Sequence, residues 1–386
     1  MEVPVRIRLF SKNSDSFIEY GVTIPILKFC SFSFRWLSAF LPFTGTFNGL
    51  GNKITALYIN RPDMSYVGLF GWTGPGGDLN NLKLIDVEIY GAFAVGSLIG
   101  HNEGNISDSS TTGNVTGGTQ VGGLAGRLLS GTTLNCIAAG NVTGGSLVGG
   151  LFGVSEGTIL SSYTTGNVTG YHEVGGLVGC SEGTISNSYS TGNVTGHELV
   201  GGLVGTACFL PISDSYATGS VNGESCVGGL VGINACCEVI SSYWDINASG
   251  QTTSAGGEGR TTEQMHQQAT FVGWDFVDVW TIREGSDYPK LKWQPLSDPS
   301  QLIANLVQDV IVLNIQKGIA NSLDSKLESA LRALDDLNEN NDVAAVNSLQ
   351  AFINFVEAQR GDKISEEDAD TLVAAALVII DSLMGE

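Results

Sequence analysis

The sequence predicts a mainly β protein: a right-handed parallel β-solenoid of about seven rungs, followed by a small all-α helical bundle. Three observations predict it. A short phrase recurs seven times, starting at Val67, Val95, Val121, Val148, Val174, Val200 and Val227, and reads VGLFG, VGSLIG, VGGLAG, VGGLFG and then VGGLVG three times. The steps between these valines are 28, 26, 27, 26, 26 and 27 residues, a period that marks units too small to bury a core alone, which stack on their neighbours. After Trp293 the Gly-rich pattern stops and helical periodicity replaces it.

The clearest unit is Val174 to Gly196, VGGLVGCSEGTISNSYSTGNVTG. Short runs of Val, Ile, Tyr and Thr alternate with Gly, Ser-Glu-Gly and Thr-Gly-Asn turns, the signature of strands and tight corners. Strands are expected at Val174 to Gly179, Thr184 to Thr191 and Asn193 to Thr195. Three strands and three corners make one rung, and rungs stacked at ~4.8 Å extend roughly 34 Å along the axis. Recurrent Gly pairs such as Gly175-Gly176 and Gly201-Gly202 suit corners that need positive φ or close backbone approach. Inside, Leu124, Leu151, Leu177, Leu203 and Leu230 are expected to stack as one ladder, and Ile106, Ile159, Ile185, Ile212 and Ile240 as another.

VGGLVG followed by GTISNSYSTG and NVTG resembles the GLUG repeat of bacterial and archaeal surface proteins, adhesins and IgA-peptidase accessory regions. Phe43 to Gly71 resembles the lead-in to such repeats, and Ser241 to Trp293 their closing segment, so the likeness covers about residues 43–293. It implies a secreted or cell-surface β-solenoid and no particular reaction.

The domain order follows: 1–42 an atypical segment, 43–240 the solenoid, 241–293 its closing segment, 294–299 a linker and 300–386 a helical module. Helices are expected at about 300–316, 320–337, 341–360 and 364–384. Pro299 suits a helix start, Gly361 a stop, and Ser365 with Asp368 a capping box. Val343, Val346, Leu349, Phe352, Ile353 and Val356 carry the core spacing of the third helix. FINFVEAQ at Phe352, then GDKISEEDADTLVAAA, resembles the FIMAH module appended to extracellular microbial proteins.

Residues 1–42 read poorly as a signal peptide: basic residues recur, and Pro25, Lys28 and Arg35 interrupt the apolar stretch from Val22 to Pro42. They are read either as a β-rich cap shielding the end of the solenoid or as a misassigned start, with the second favoured by the extracellular look of everything that follows. The chain holds 18 basic and 39 acidic residues, a net charge of −21, which argues against nucleic acid and anionic membranes as partners. No stretch reads as a membrane span, and oligomeric state is not legible.

Candidate chemistry is sparse. Seven cysteines (Cys30, Cys136, Cys180, Cys208, Cys226, Cys236, Cys237) form no CxxC pair and share no ligand spacing with His101, His172, His197 and His266, which argues against zinc. Buried free thiols are the default reading; Cys180, Cys208 and Cys226 or Cys236 lie about a rung apart and are the candidates for pairing. Glu103, Glu156 and Glu182 sit in Asn-Glu-Gly or Ser-Glu-Gly corners and are read as solubilising, with weak Ca2+ binding as the alternative; no other cofactor is expected. Asp108, Asn135, Asn187 and Asp214 read as a mid-strand ladder of stacked side chains. No P-loop, nucleophile elbow or metalloprotease motif is present, so no enzyme is expected and no catalytic residue is assigned.

Two rows stand out as surface candidates. Tyr163, Tyr189, Tyr216 and Tyr243 recur in step and either line a binding face or, the favoured alternative, stack inward. Asn167, Asn193, Thr169 and Thr195 belong to the repeated Asn-Val-Thr, read as turn-shaping Asn and outward Thr. The function expected is adhesion or matrix contact with a glycan or surface protein, with a purely structural spacer next and a carbohydrate-active β-helix enzyme last.

Overall fold

The computed structural model describes residues 42–294, 299–313, 315–335 and 341–384, with the backbone of two further strands, Pro4–Leu9 and Ile18–Thr23, paired antiparallel. The remainder of the N-terminal segment, Cys30 and most of the expected linker lie outside the described residues. The chain divides into two compact units, Met1–Lys292 and Trp293–Glu386.

The first unit is a parallel β-solenoid. One face carries eight strands, from Thr46–Asn48 to Val239–Ile240, and a second carries seven, from Phe70–Thr73 to Val231–Asn234. The third side is a folded sheet built in each rung from a Tyr strand, a Val-Thr strand and the strand that opens the repeated phrase. A representative rung runs His172–Gly175, Val178–Ser181, Ile185–Ser186, Tyr189–Ser190 and Val194–Thr195. Five short strands thus replace the three expected, because two of the expected strands bend. VGGLVG breaks at Gly176-Leu177, where the chain passes from one sheet to the next, and the second strand breaks at Asn187-Ser188.

The physical reason for the glycines is close approach. A Cβ on Gly176 would sit 2.1 Å from the carbonyl oxygen of Gly202 on the next rung. Neither Gly175 nor Gly176 is among the residues with positive φ. Left-handed backbone occurs instead at another corner of the rung, at Asp108, Asn135, Asn187 and Asp214, with φ of 48°, 53°, 49° and 47°, and at Ser161 and Ser241 in the same column. Asn and Asp tolerate this region because a short polar side chain bonds locally. They are therefore a corner column, not the mid-strand ladder the sequence suggested. A second left-handed column, Gln120, Leu147, Glu173, Leu199 and Cys226, precedes each repeated valine.

The lumen is filled by like on like. Leu124, Leu151, Leu177, Leu203 and Leu230 are all fully buried, as expected. The second ladder runs Leu79, Ile106, Thr133, Ile159, Ile185, Ile212 and Val239. Ile240, expected in it, is 48% exposed: Val239 pairs with Ile212, so Ile240 falls on the opposite side of the pleat.

Beside these runs a polar ladder that the sequence reading missed. The hydroxyl of Ser188 accepts the Ser162 N–H (3.2 Å) and donates to its own Ser186 carbonyl (2.8 Å). Ser215 does the same for Ser188 (3.1 and 2.7 Å), and Ser242 for Ser215 (3.2 and 2.8 Å). Cys136 occupies the equivalent position one rung before Ser162, fully buried, and burial pushes its thiol up to about 12. The signal was the Ser that precedes every Tyr of the column.

Residues 245–260 close the last rung. Trp244 packs into the lumen core, and the Ser254 hydroxyl accepts the N–H groups of Leu230 (3.2 Å) and Val231 (2.8 Å). Strand Glu258–Arg260 pairs in parallel with Tyr243–Asp245, and the buried Asp245 carboxylate accepts from Asn247 N, Ala248 N, Thr262 Oγ1 and Tyr288 OH.

The second unit holds helices Pro299–Val312, Lys317–Asp335, Asn341–Gln359 and Glu366–Met384. Pro299 opens the first, Gly361 follows the third at φ 73°, and the Ser365 hydroxyl caps the fourth by accepting Asp368 N–H at 3.1 Å. Leu349, Phe352, Ile353 and Val356 are buried with Leu306, Leu327 and Leu372. Val343 is 63% exposed and Ala345 takes the core position, because the buried stripe runs back four residues from Leu349.

Two outcomes test this account. Ser188→Ala leaves the buried Ser162 N–H without its acceptor and is expected to cost about 1–3 kcal/mol, read from urea unfolding. Asp214→Asn is expected to raise the melting temperature at neutral pH. Burial holds the Asp214 carboxyl above its ordinary range, so the wild type loses stability as pH rises through that interval. The advantage of the variant therefore fades below the ordinary Asp value, where both states of the wild type are protonated.

Candidate functional site

The Tyr column is in register, Tyr163 on Tyr189 on Tyr216 on Tyr243. Rings of Tyr163, Tyr189 and Tyr216 stack at 4.8 Å with interplanar angles of 5° and 8°, the spacing of the strands themselves. Ala217 and Trp244, which follow Tyr216 and Tyr243, belong to the lumen core, as does Ala138, which pairs with the Thr164 that follows Tyr163, so alternation turns the rings outward. They are nevertheless buried, because the closing segment folds back over them. Trp280 lies 6.2 Å from Tyr189 and 6.1 Å from Tyr216, Trp274 lies 6.1 Å from Tyr243, and Tyr216 OH donates to the Pro289 carbonyl at 2.6 Å. Both expectations are corrected: the column neither lines a free face nor points into the lumen. It is the seat of the closing segment, which the sequence hid because cover and column are far apart along the chain.

The Asn-Val-Thr row is exposed. Asn167, Thr169, Asn193 and Thr195 all face solvent, and Thr143, Thr169 and Thr195 pair directly. The Asn side chains also hold the rungs together: Asn141 Oδ1 accepts the Asn167 N–H and Asn167 Oδ1 the Asn193 N–H, each at 3.1 Å. The threonines are the part of the row that presents hydroxyls outward.

Two exterior clusters escaped the sequence reading, both where the repeat departs from its own pattern. On the seven-stranded face, three successive rungs place Trp72, His101 and Arg127 in one column, where later rungs have Val154, Cys180 and Thr206. Trp72 Nε1 donates to Glu103 at 3.0 Å, His101 Nε2 lies 3.4 Å from the same oxygen, and Arg127 pairs with Glu156. Glu103 and Glu156 thus have partners already. Tyr66, 41% exposed, meets His101 edge to face at 5.7 Å. Burial, with Arg127 nearby, lowers the His101 pKa and favours the neutral ring.

The second cluster is a corner column of Gly118, Gly145, Tyr171, His197 and Glu224, each bonded through its backbone to the next. Tyr171 and His197 stack at 4.6 Å and 17°. His172 lies between Glu173 (3.6 Å) and Glu198 (3.7 Å), and His197 Nε2 is 3.2 Å from Glu224. Among the described residues no group of three or more His, Cys, Asp or Glu side chains is arranged to hold a metal ion. The six described cysteines are free thiols, with Cys136 and Cys237 buried and Cys226 and Cys236 exposed. No described helix is long and apolar enough to cross a membrane.

With this geometry in view, comparison with known proteins assigns the two units. The GLUG motif matches residues 91–116 and 170–195, and the FIMAH domain matches residues 312–381. The chain carries GLUG repeats and a FIMAH domain. The chain is 40% identical over 84 residues to halomucin of Haloquadratum walsbyi, a stretch covering 22% of this chain and 1% of that protein. It is 35% identical over 125 aligned residues to a protein of Evansella cellulosilytica whose name describes a Gly-rich membrane protein, covering 24% of this chain and 14% of that protein. The chain therefore spans a small part of either relative. No solved structure matches.

Removing the cover is the direct test of the Tyr seat. Trp280→Ala is expected to cost about 3–5 kcal/mol in unfolding measurements and to open the Tyr fluorescence to acrylamide quenching.

Proposed function

We propose that this protein is a non-enzymatic extracellular or cell-surface repeat protein that makes adhesive or matrix contacts, with glycans or surface proteins, through the exposed faces of its solenoid. The observation that carries this reading is the in-register row of outward Thr143, Thr169 and Thr195 with Asn167 and Asn193. Such a row offers many shallow polar contacts at one fixed repeat and suits a ligand that is itself repetitive. The relative named as a membrane protein supports a surface location. The net charge of −21 supports solvation and turns the protein away from anionic surfaces. The reading requires no cofactor.

A second reading, a spacer that holds other parts of a surface assembly apart, is favoured by one observation. The Asn side chains of the same row spend their acceptors on neighbouring rungs, which stiffens the stack.

The test is binding of the purified full chain to a glycan array and to immobilised cell-surface proteins. Saturable binding to at least one of them is expected, without release of reducing sugar. Absence of any binding by the folded protein selects the spacer, and sugar release overturns the non-enzymatic assignment.

A further inference from the structure

The corner column of Gly118, Gly145, Tyr171, His197 and Glu224 has a break in it. Two rungs carry no side chain and the third carries an aromatic ring, with a backbone bond of 2.7 Å from Tyr171 N–H to the Gly145 carbonyl. Tyr171 is 59% exposed, so much of its ring is open to solvent. Its partner in stacking is His197, one rung on, at 4.6 Å and 17°. Rings parallel to one another on adjacent rungs have their faces directed along the stack. One face of Tyr171 is therefore covered by His197, and the other is turned toward the level of Gly145.

Gly145 and Gly118 place no side chain on the next two levels, and the backbone itself forms the base of the ledge: a Cβ on Gly145 would lie 2.7 Å from the Gly118 carbonyl oxygen. Levels are one strand spacing apart, about 4.8 Å. A flat ring seated on Tyr171 at ordinary stacking distance therefore occupies the Gly145 level, continuing the column that Tyr171 and His197 begin.

The surroundings define what kind of ring. Exposed Thr143 and half-buried Ser146 lie two residues before and one after Gly145 and offer hydroxyls at the same level. The charged groups next to the ledge are Glu173 and Glu198 about His172, and Glu224 beside His197. No Lys or Arg side chain makes an ion pair with any of the three among the described residues, and the three carboxylates outnumber the two imidazoles beside them, so the setting disfavours an anionic ligand. A purely apolar ligand leaves the hydroxyls unused. An uncharged ring with one apolar face and hydroxyls on its rim satisfies both.

We infer that Tyr171 and the glycine ledge beside it form a binding site for a pyranose unit of a neutral saccharide, stacked on the open face of Tyr171 and hydrogen-bonded by Thr143 and Ser146. The inference rests on the contact reading above, and it makes Tyr171, which the repeat does not require, the residue that decides affinity.

The experiment is calorimetric titration of the full chain with cellohexaose, xylohexaose and mannohexaose, and with an alginate hexamer as the anionic comparator. The wild type, Tyr171→Ala, Tyr171→Phe and Ser146→Ala are compared, with melting curves confirming that each is folded. At least one neutral oligosaccharide is expected to bind, about tenfold or more weaker in Tyr171→Ala, near wild type in Tyr171→Phe and measurably weaker in Ser146→Ala. Neutral binding that Tyr171→Ala leaves unchanged overturns this site while the contact reading stands. Binding of alginate alone overturns the neutral class and likewise leaves the contact reading in place. No binding to any of the four overturns the site; the contact reading then falls only if the glycan array and surface proteins are also negative.

Discussion

The strands of a rung in this solenoid do not bond to one another; their backbone N–H and C=O groups are satisfied by the rungs on either side. Buried amides left unpaired are costly, so each rung is stable only in the register that its neighbours impose. That register brings identical positions face to face at one strand spacing, and the interior obeys it. Leu meets Leu, Val meets Val, and glycine meets glycine where a Cβ would collide with the next backbone. The buried serines extend the rule to polar side chains, since each hydroxyl serves the rung before it and its own chain at once. Cys136 fits the ladder because a thiol has the same donor and acceptor pattern, more weakly.

The same rule separates structure from function on the outside. A side chain repeated at every rung serves stacking, as the Asn of the Asn-Val-Thr row does by accepting the next backbone N–H. One that appears once or twice in a column is free of that duty. Trp72, His101 and Arg127 replace small residues in one column, and Tyr171 and His197 replace glycines in another. The irregular positions therefore carry side chains that the stack does not require, on a frame whose regular positions hold them still.

A stack of rungs must also end, and residues 241–291 show how. Trp244 and Ser254 complete the last rung, and the chain then turns back along the outside to lay Trp274, Trp280 and Tyr288 over the tyrosines. Asp245 joins the two tasks: its carboxylate caps the turn after the last rung and accepts the hydroxyl of Tyr288 from the returning segment. The most conspicuous aromatic row of the sequence is thus an internal joint.

The sequence by itself determined the architecture, because a constant period and a repeated core phrase leave a stacked parallel β-fold as the way to bury Val and Leu from every unit. It determined the helical module as well, down to Pro299, Gly361 and Ser365 at helix ends, since caps and apolar spacing are local. Only the tertiary structure decided which repeated residues are covered. Tyr163 through Tyr243 read as exposed or inward from their own rungs, and the residues that bury them come from a segment with no repeat of its own. It also decided the fine register that sends Val239 inward and Ile240 outward, and the five-strand division of each rung. Both depend on backbone contacts between rungs some 26 residues apart, which no local pattern records. The open face of Tyr171 belongs to this second class: its meaning comes from the glycines one and two rungs away.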